Sequence, residues 1–271
     1  MRPVSTETPP PLPADLPAQL AAEHKIVLFL DYDGTLSEIT PDIANAQPVA
    51  GAGALIKRLA ASPDRFRVVV VSGRQIDKLR RLLDVPDGVT LVGTHGIEII
   101  EPGGKSATTV DPETFMPALQ AVKEWLRTNI PNGEGFVIED KPYSVALHYR
   151  LARPDAALTA RLRLREFAGR QTPSLELREG KMVIEALPHG VNKGEALRMI
   201  LNEGGEDRLP IYFGDDITDE DAFFALRETK GLTVKVSAEP APSWAMYRVA
   251  TPADVIIVLA GMAASSGTRT T

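Results

Sequence analysis

Two carboxylates one residue apart, Asp31 and Asp33, leave the end of an apolar run over residues 26–30 and are followed at once by Gly34 and Thr35. An apolar run closed by a turn signal reads as a buried strand, and strand ends are where α/β sheets place reacting groups. Alternate residues of an extended segment share a face, so positions 31 and 33 can share one cation. One carboxylate can then attack while the other carries a proton. A second apolar, β-branched run over residues 67–71 ends in Ser72-Gly73-Arg74, which offers a hydroxyl and backbone N–H groups to an anion. Lys193 falls in the first turn of a helical pattern whose apolar positions are Ala196, Leu197, Ile200 and Leu201. Residues 209–213 lead into Gly214-Asp215-Asp216-Ile217-Thr218-Asp219-Glu220-Asp221, where five carboxylates in seven residues need a cation. A hard dication, a lysine and N–H donors are what a phosphoryl group in transfer requires, because its charge is spread over its oxygens. Taken alone, D-x-D-G-T also fits an Asx-type turn after a strand. No soft-metal site competes: there is no cysteine, and His24, His95, His148 and His189 lack close ligand spacing.

These groups must be held by regular elements, and the periodicity supplies them. Strands at 26–31, 67–71 and 90–93 alternate with helices at 51–61 and 75–83, which predicts a parallel sheet with helices on both faces. The pattern then changes. A helix over 113–129 precedes strands 136–139 and 144–150, and a helix over 154–168 precedes strands 174–177 and 182–186. Each strand pair is closed by turn residues, 140–142 and 178–180, so the segment reads as two antiparallel hairpins, each after a helix. Alternation resumes with Lys193, strand 210–213, helix 219–227, strand 232–236 and an amphipathic segment ending near Leu259. The expected organisation is an α/β core over 23–103 and 188–264, an inserted α+β domain over 104–187, a flexible proline-rich tail over 1–22 and a flexible C-terminal tail over 265–271.

Composition limits the function classes. The 271 residues are 44% hydrophobic and 24% charged, ordinary for a globular protein, and the net charge of −6 gives no footprint for nucleic acid. The absence of cysteine rules out a disulfide scaffold and suits a reducing cytoplasm. Residues 1–17 carry six prolines and lack the apolar core of a signal peptide. No apolar run reaches the ~18 residues of a membrane helix. A monomer without nucleic-acid or membrane partners is expected; whether a synthase associates is left open.

The Asp, Ser, Lys and acidic-loop motifs, in this order, resemble those of the haloacid dehalogenase-like phosphohydrolases. The resemblance implies a Rossmannoid core and, from the position of the insert between the Ser and Lys motifs, a C2-type cap. It implies Asp31 as nucleophile, Asp33 as general acid and base, and Ser72 and Lys193 as holders of the phosphoryl group. Asp31, Asp33 and Asp215 would bind Mg²⁺, with Asp216 and Asp219 reaching it only through water or another ligand. The residue two after the nucleophile is Thr in the related transport ATPases; Asp33 at that position implies a hydrolase. The longest local match is to trehalose-6-phosphate phosphatases. It is carried by LFLDYDGTL (28–36), VVVSGR (69–74), Gly93-Thr94-His95-Gly96-Ile97-Glu98, Glu139-Asp140-Lys141 with VALHYR (145–150), GKMVIE (180–185), KGEA (193–196) and GDDITDED (214–221). It implies that Glu139, Lys141 and Glu185 contact sugar hydroxyls, while Ser72, Gly73, Arg74, His95 and Glu98 line the floor. The activity implied is hydrolysis of trehalose 6-phosphate, the last step of trehalose biosynthesis. Paired acceptors around a lysine suit a polyhydroxylated leaving group. The alternatives are a phosphatase of sucrose phosphate or mannosyl-phosphoglycerate, a phosphomutase, or a silent binding module. On pattern alone, Glu139 and Lys141 could equally be a solvated hairpin edge, and His95 a turn residue.

Overall fold

The computed structural model describes residues 5–40, 46–84, 87–131, 133–180, 182–203, 207–227 and 229–264. The chain divides into two compact units, Met1–Thr109 with Asn192–Thr271, and Val110–Val191. The expected insert limits of 104 and 187 thus fall a few residues before the limits of the second unit. Along the chain the first unit contributes α1 (Leu16–Ala21), β1 (Ile26–Asp31), α2 (Ala52–Ala60), β2 (Phe66–Val71), α3 (Ile76–Leu83), β3 (Val89–Gly93), β4 (Glu98–Ile100) and β5 (Ser106–Thr108). The second unit follows with α4 (Pro112–Asn129), β6 (Val137–Asp140), β7 (Val145–His148), α5 (Pro154–Gly169), β8 (Leu175–Gly180) and β9 (Val183–Pro188). The first unit is completed by α6 (Lys193–Asn202), β10 (Leu209–Gly214), α7 (Glu220–Leu226), β11 (Leu232–Val236), β12 (Tyr247–Val249) and α8 (Pro252–Ala264).

The first unit is built on an eight-stranded sheet in the order β12-β11-β10-β1-β2-β3-β4-β5. Its first six strands are parallel; β4 and β5 are antiparallel and form one edge. β1 is buried along its whole length because both its faces are covered. Ile26, Leu28 and Leu30 pack into a core shared with α2, α3 and α8, while Val27 and Phe29 face a second core with α6 and α7. Register sets Asp31 beside Val71 of β2 and Leu30 beside Phe213 of β10. The C-terminal ends of three neighbouring strands therefore deliver Asp31, Ser72 and Asp215 to one rim of the sheet. That rim is where a parallel α/β sheet can present side chains without breaking its ladder.

The second unit carries a four-stranded antiparallel sheet, β6-β7-β9-β8, with α4 and α5 packed against it. Leu119, Val122 and Leu126 of α4 and Leu164 of α5 share a core with Val145, Leu147, Ile184 and Ala186. Alternation sends Glu139, Ala146 and Glu185 to the other face, where they are cross-strand neighbours in one row. β8 continues through Gly180, so the second reversal comes after Gly180 and not over 178–180.

The proline-rich segment corrects an expectation. The main chain of residues 10–12 pairs with Arg248 of β12, Leu12 and Leu16 pack on the core, and Leu20 is buried in it. Prolines fix an extended backbone suited to a sheet edge, and leucines at 12, 16 and 20 give the anchoring stripe. Of the predicted tail over 1–22, then, residues 7–21 are docked, the Glu7 carbonyl accepting from the Ser243 amide at 2.9 Å; residues 1–4, and the whole tail over 265–271, lie outside the described residues.

Candidate active site

Asp31 is the last residue of β1 and is 3% exposed. Its Oδ1 lies 2.6 Å from Lys193 Nζ, the first residue of α6, whose start is capped by Asn192 accepting from the Glu195 amide at 2.9 Å. The same ammonium donates to Asp219 Oδ1 at 2.7 Å. Asp219 is fully buried and all of its acceptor capacity is in use. Tyr212 donates its hydroxyl to Oδ1 at 2.7 Å, and the amides of Asp215 and Asp216 donate to Oδ2 at 3.0 Å each. Asp219 thus ties the acidic loop to Lys193 as a structural anchor.

Carboxylate oxygens of Asp31, Asp215 and Asp219 all lie within 4.8 Å of one another. Asp215 Oδ1 is buried with no hydrogen-bond partner among the described residues, and so is the hydroxyl of Thr35. A buried carboxylate oxygen without a donor is costly, and a hard cation held between Asp31 and Asp215 removes that cost. The loop can approach so closely because residue 34 is glycine: its φ is +78°, and a Cβ there would stand 2.0 Å from Asp215 Oδ2. Asp216 is exposed and caps the turn over Ile217–Asp219, so the structure leaves it outside this cluster.

The Asp33 side chain departs from the expectation that it shares a face with Asp31. β1 stops at Asp31, and the amides of Leu36 and Ser37 turn back to the Tyr32 carbonyl, so the extended alternation that would align 31 with 33 is lost. The Asp33 carboxylate instead meets Arg74 in a two-point pair, Nε to Oδ2 at 2.7 Å and Nη2 to Oδ1 at 2.6 Å. Arg74, expected on the sugar-facing floor, is thereby the group that orients Asp33. Ser72 is buried, and its Oγ accepts from the Arg74 amide at 3.1 Å. Gly73 packs against the His95 ring, which a Cβ would strike at 2.5 Å. His95 has φ +59°, the left-handed turn conformation, and Glu98 accepts from the Thr94 hydroxyl at 2.7 Å.

Electrostatics follow from burial and neighbours. Burial pushes the Asp31 carboxyl well above the usual range, with Lys193 pulling the other way and Asp219 and Asp215 adding to the rise. Burial also opposes charge on Lys193, but Asp219 and Asp31 outweigh it and hold the ammonium above the ordinary lysine range. Asp215 is pushed up to about 7 by burial and by the charges of Asp219 and Asp216. Crowded carboxylates of this kind are relieved by a dication.

In the second unit Glu139, Lys141 and Glu185 come together. Lys141 Nζ donates to Glu185 Oε1 at 2.8 Å and stands 4.0 Å from Glu139 Oε2. Ser144 Oγ donates to the same Glu185 oxygen at 2.6 Å, and His148 Nε2 lies 3.1 Å from Glu139. The Lys141 side chain is only 10% exposed, which argues against the solvated-edge alternative for it, whereas Glu139 is 28% exposed; Glu185 is 11% exposed. Sequence reasoning missed Tyr212, Thr35, Ser144 and the orienting role of Arg74. A tyrosine two residues before the glycine of the acidic loop was a signal, but it was absorbed into the apolar strand pattern. A cavity of 460 Å³ opens beside Gly34 and Asp215; a larger one, 710 Å³, lies at the opposite end of β10 against Leu209 and Pro210 and contains none of these groups.

A sequence profile of the family described as Trehalose-phosphatase matches residues 29–254. A trehalose-phosphate phosphatase of Mycobacterium avium (strain 104) is 39% identical over 213 residues, covering 77% of this chain and 53% of that protein. A trehalose 6-phosphate phosphatase of Zea mays is 32% identical over 272 residues, covering 93% and 74% respectively. Among solved structures, a trehalose-6-phosphate phosphatase related protein superimposes with a TM-score of 0.73 at 30% identity, covering 89% of this chain and 98% of that one. The chain spans about half the length of the mycobacterial relative.

Proposed function

The chain belongs to the trehalose-phosphatase family, and we propose accordingly that it hydrolyses trehalose 6-phosphate to trehalose and phosphate. Its fold is the haloacid dehalogenase-like one. The observation that carries the proposal is the buried Asp31 carboxylate, facing Lys193 on one side and Asp215 on the other at adjoining strand ends. In the first step an Asp31 oxygen forms a bond to phosphorus while the bond to the sugar oxygen breaks. Asp33 gives the leaving alkoxide its proton. In the second step Asp33 takes a proton from water, the hydroxyl oxygen bonds to phosphorus, and the Asp31–phosphorus bond breaks to release inorganic phosphate.

Lys193, the Ser72 hydroxyl and the backbone at Gly73 receive the phosphoryl oxygens. Arg74 orients Asp33 in its ionised form, the base that takes a proton from water in the second step, and frees one carboxyl oxygen to carry the proton spent in the first. Asp31 and Asp215, with the main-chain carbonyl of Asp33, would hold Mg²⁺, which would supply neutralisation of the phosphoryl charge. The orphaned Asp215 oxygen supports this ligand set. Asp219 serves by holding Lys193 and the loop amides, with Asp216 closing the turn. Glu139, Lys141 and Glu185 read the sugar hydroxyls; their low exposure and mutual spacing support that role. His95 and Glu98 complete the floor.

Among the described residues, no helix is long and apolar enough to cross a membrane. A cytoplasmic monomer acting on a small sugar phosphate, without nucleic acid, completes the proposal; the cysteine-free composition and the net charge of −6 support it. The test is phosphate release from trehalose 6-phosphate, sucrose 6-phosphate, glucose 6-phosphate and p-nitrophenyl phosphate, each with Mg²⁺ and with EDTA. Trehalose 6-phosphate should be the best substrate and EDTA should abolish its turnover. Preference for another sugar phosphate, or activity surviving chelation, overturns the proposal.

A further inference from the structure

Lys123 is a buried charge that the phosphoryl chemistry does not use. It lies within α4, 4% exposed, in a stretch whose neighbours Leu119, Val122 and Leu126 are fully buried in the core of the second unit. A charge in such a place costs desolvation, and well-packed apolar residues at buried ion pairs are often as stable or more so. Stability is therefore a poor reason for a lysine here. What the ammonium touches suggests a better one. It donates to the main-chain carbonyl of Lys141 at 2.5 Å and lies 2.7 Å from Asp140 Oδ1. Both partners stand where β6 gives way to the turn into β7, a turn closed by the Lys141 amide donating to the Ser144 carbonyl at 3.1 Å. From that turn the Lys141 side chain reaches Glu185, whose Oε1 also accepts from Ser144. One buried ammonium grips the peptide of the residue whose own ammonium sits in the Glu139, Lys141 and Glu185 cluster.

We propose that Lys123 is a positioning residue for sugar selectivity: by holding the Lys141 carbonyl it fixes the turn that aims Lys141 at Glu185, and with it the spacing of the hydroxyl-reading groups. The inference rests on the reading of that cluster as sugar contacts. Lys123→Met keeps an apolar stem of similar volume and removes the grip alone.

The experiment uses the full chain as wild type, Lys123→Met, Lys141→Ala and the double variant, with kcat/KM for trehalose 6-phosphate and p-nitrophenyl phosphate and a thermal melt for each. Lys123→Met should lower kcat/KM for trehalose 6-phosphate by about tenfold, mostly through KM, and lower the selectivity over p-nitrophenyl phosphate with it. In the Lys141→Ala background the same change should cost less than about twofold, because a residue acting through Lys141 has nothing left to position. Parallel loss on both substrates, or losses that multiply independently in the double variant, overturns the proposal and makes Lys123 a structural lysine. Should Lys123→Met fail to fold, Asp140→Asn removes the ammonium's counter-charge from a partly exposed position. It should then lower selectivity by about threefold in wild type and not in Lys141→Ala, and the absence of that pattern overturns the proposal. A wild type inactive on trehalose 6-phosphate, or a Lys141→Ala variant with intact selectivity, defeats the sugar reading and this inference with it. Failure of the Lys123 and Asp140 variants alone leaves the sugar reading standing.

Discussion

The chemistry of this chain is divided among carboxylates that resemble one another in sequence and differ in surroundings. Asp31 is buried against a lysine, Asp33 is held by a guanidinium, Asp215 has an oxygen without a donor, and Asp219 has no acceptor to spare. Each surrounding predicts a different loss. Asp31→Asn should abolish turnover without unfolding, whereas Asp33→Asn should slow it by about 10² to 10⁴ and leave a phosphorylated Asp31 that acid quench can trap. An Asp31→Asn variant retaining over about a tenth of the activity contradicts the nucleophile assignment.

Asp215 and Asp219 separate a ligand from an anchor. Asp215→Asn should weaken Mg²⁺ binding by more than about tenfold and leave the metal-free protein no less stable, since it removes one of several crowded carboxylates. Asp219→Asn should lower the melting temperature, because it strips partners from Lys193, Tyr212 and two amides. Equal melting temperatures for the two variants refute the distinction. The pH dependence has a sign. The Asp215 pKa of about 7 lies above its unfolded value, so the metal-free fold gains stability as pH falls through that range. Mg²⁺ must displace that proton, and its affinity should therefore fall from pH 8 to pH 6; titration calorimetry showing equal affinity at both values would contradict the assignment.

Among the elements, β1 is the spine on which the site depends. Phe29 is fully buried, stacks on Tyr212 at 6.2 Å between ring centroids, and so supports the ring whose hydroxyl anchors Asp219. Phe29→Ala should cost about 3–5 kcal/mol in denaturant unfolding; a loss under about 1 kcal/mol would mean the core closes around the gap. Such elements were legible in the sequence because their apolar runs are long and end in turn residues: β1, β2, α4, α5 and β11 fall within a residue or two of the predicted limits. Three-residue strands such as β4, β5 and β12 carry too little periodicity to be seen. Proline content hid α1, since the leucine stripe beneath it becomes visible only when there is a surface to pack on. The Arg74–Asp33 pair joins residues 41 apart in sequence, and nothing in either segment announces it. Ser72, Lys193 and Asp215 were legible because each follows a strand or opens a helix, where position implies direction.

For the molecule as a whole, the division of labour follows the division of the chain. In the proposed mechanism the first unit supplies the nucleophile, the proton carrier and the place for a cation, all of which any phosphate monoester could use. The second unit has its own core and its own cluster of carboxylates around a lysine, to which the proposal assigns leaving-group selectivity. The substrate-selectivity part of this account is tested most directly by kcat/KM of Glu139→Ala, Lys141→Ala and Glu185→Ala on trehalose 6-phosphate and on p-nitrophenyl phosphate, which has no sugar hydroxyls. Each lost charged hydrogen bond is worth about 1.5–3 kcal/mol, so turnover of trehalose 6-phosphate should fall by about ten- to a hundredfold or more while the aryl ester falls far less. Equal losses on the two esters, or none on either, would contradict the account.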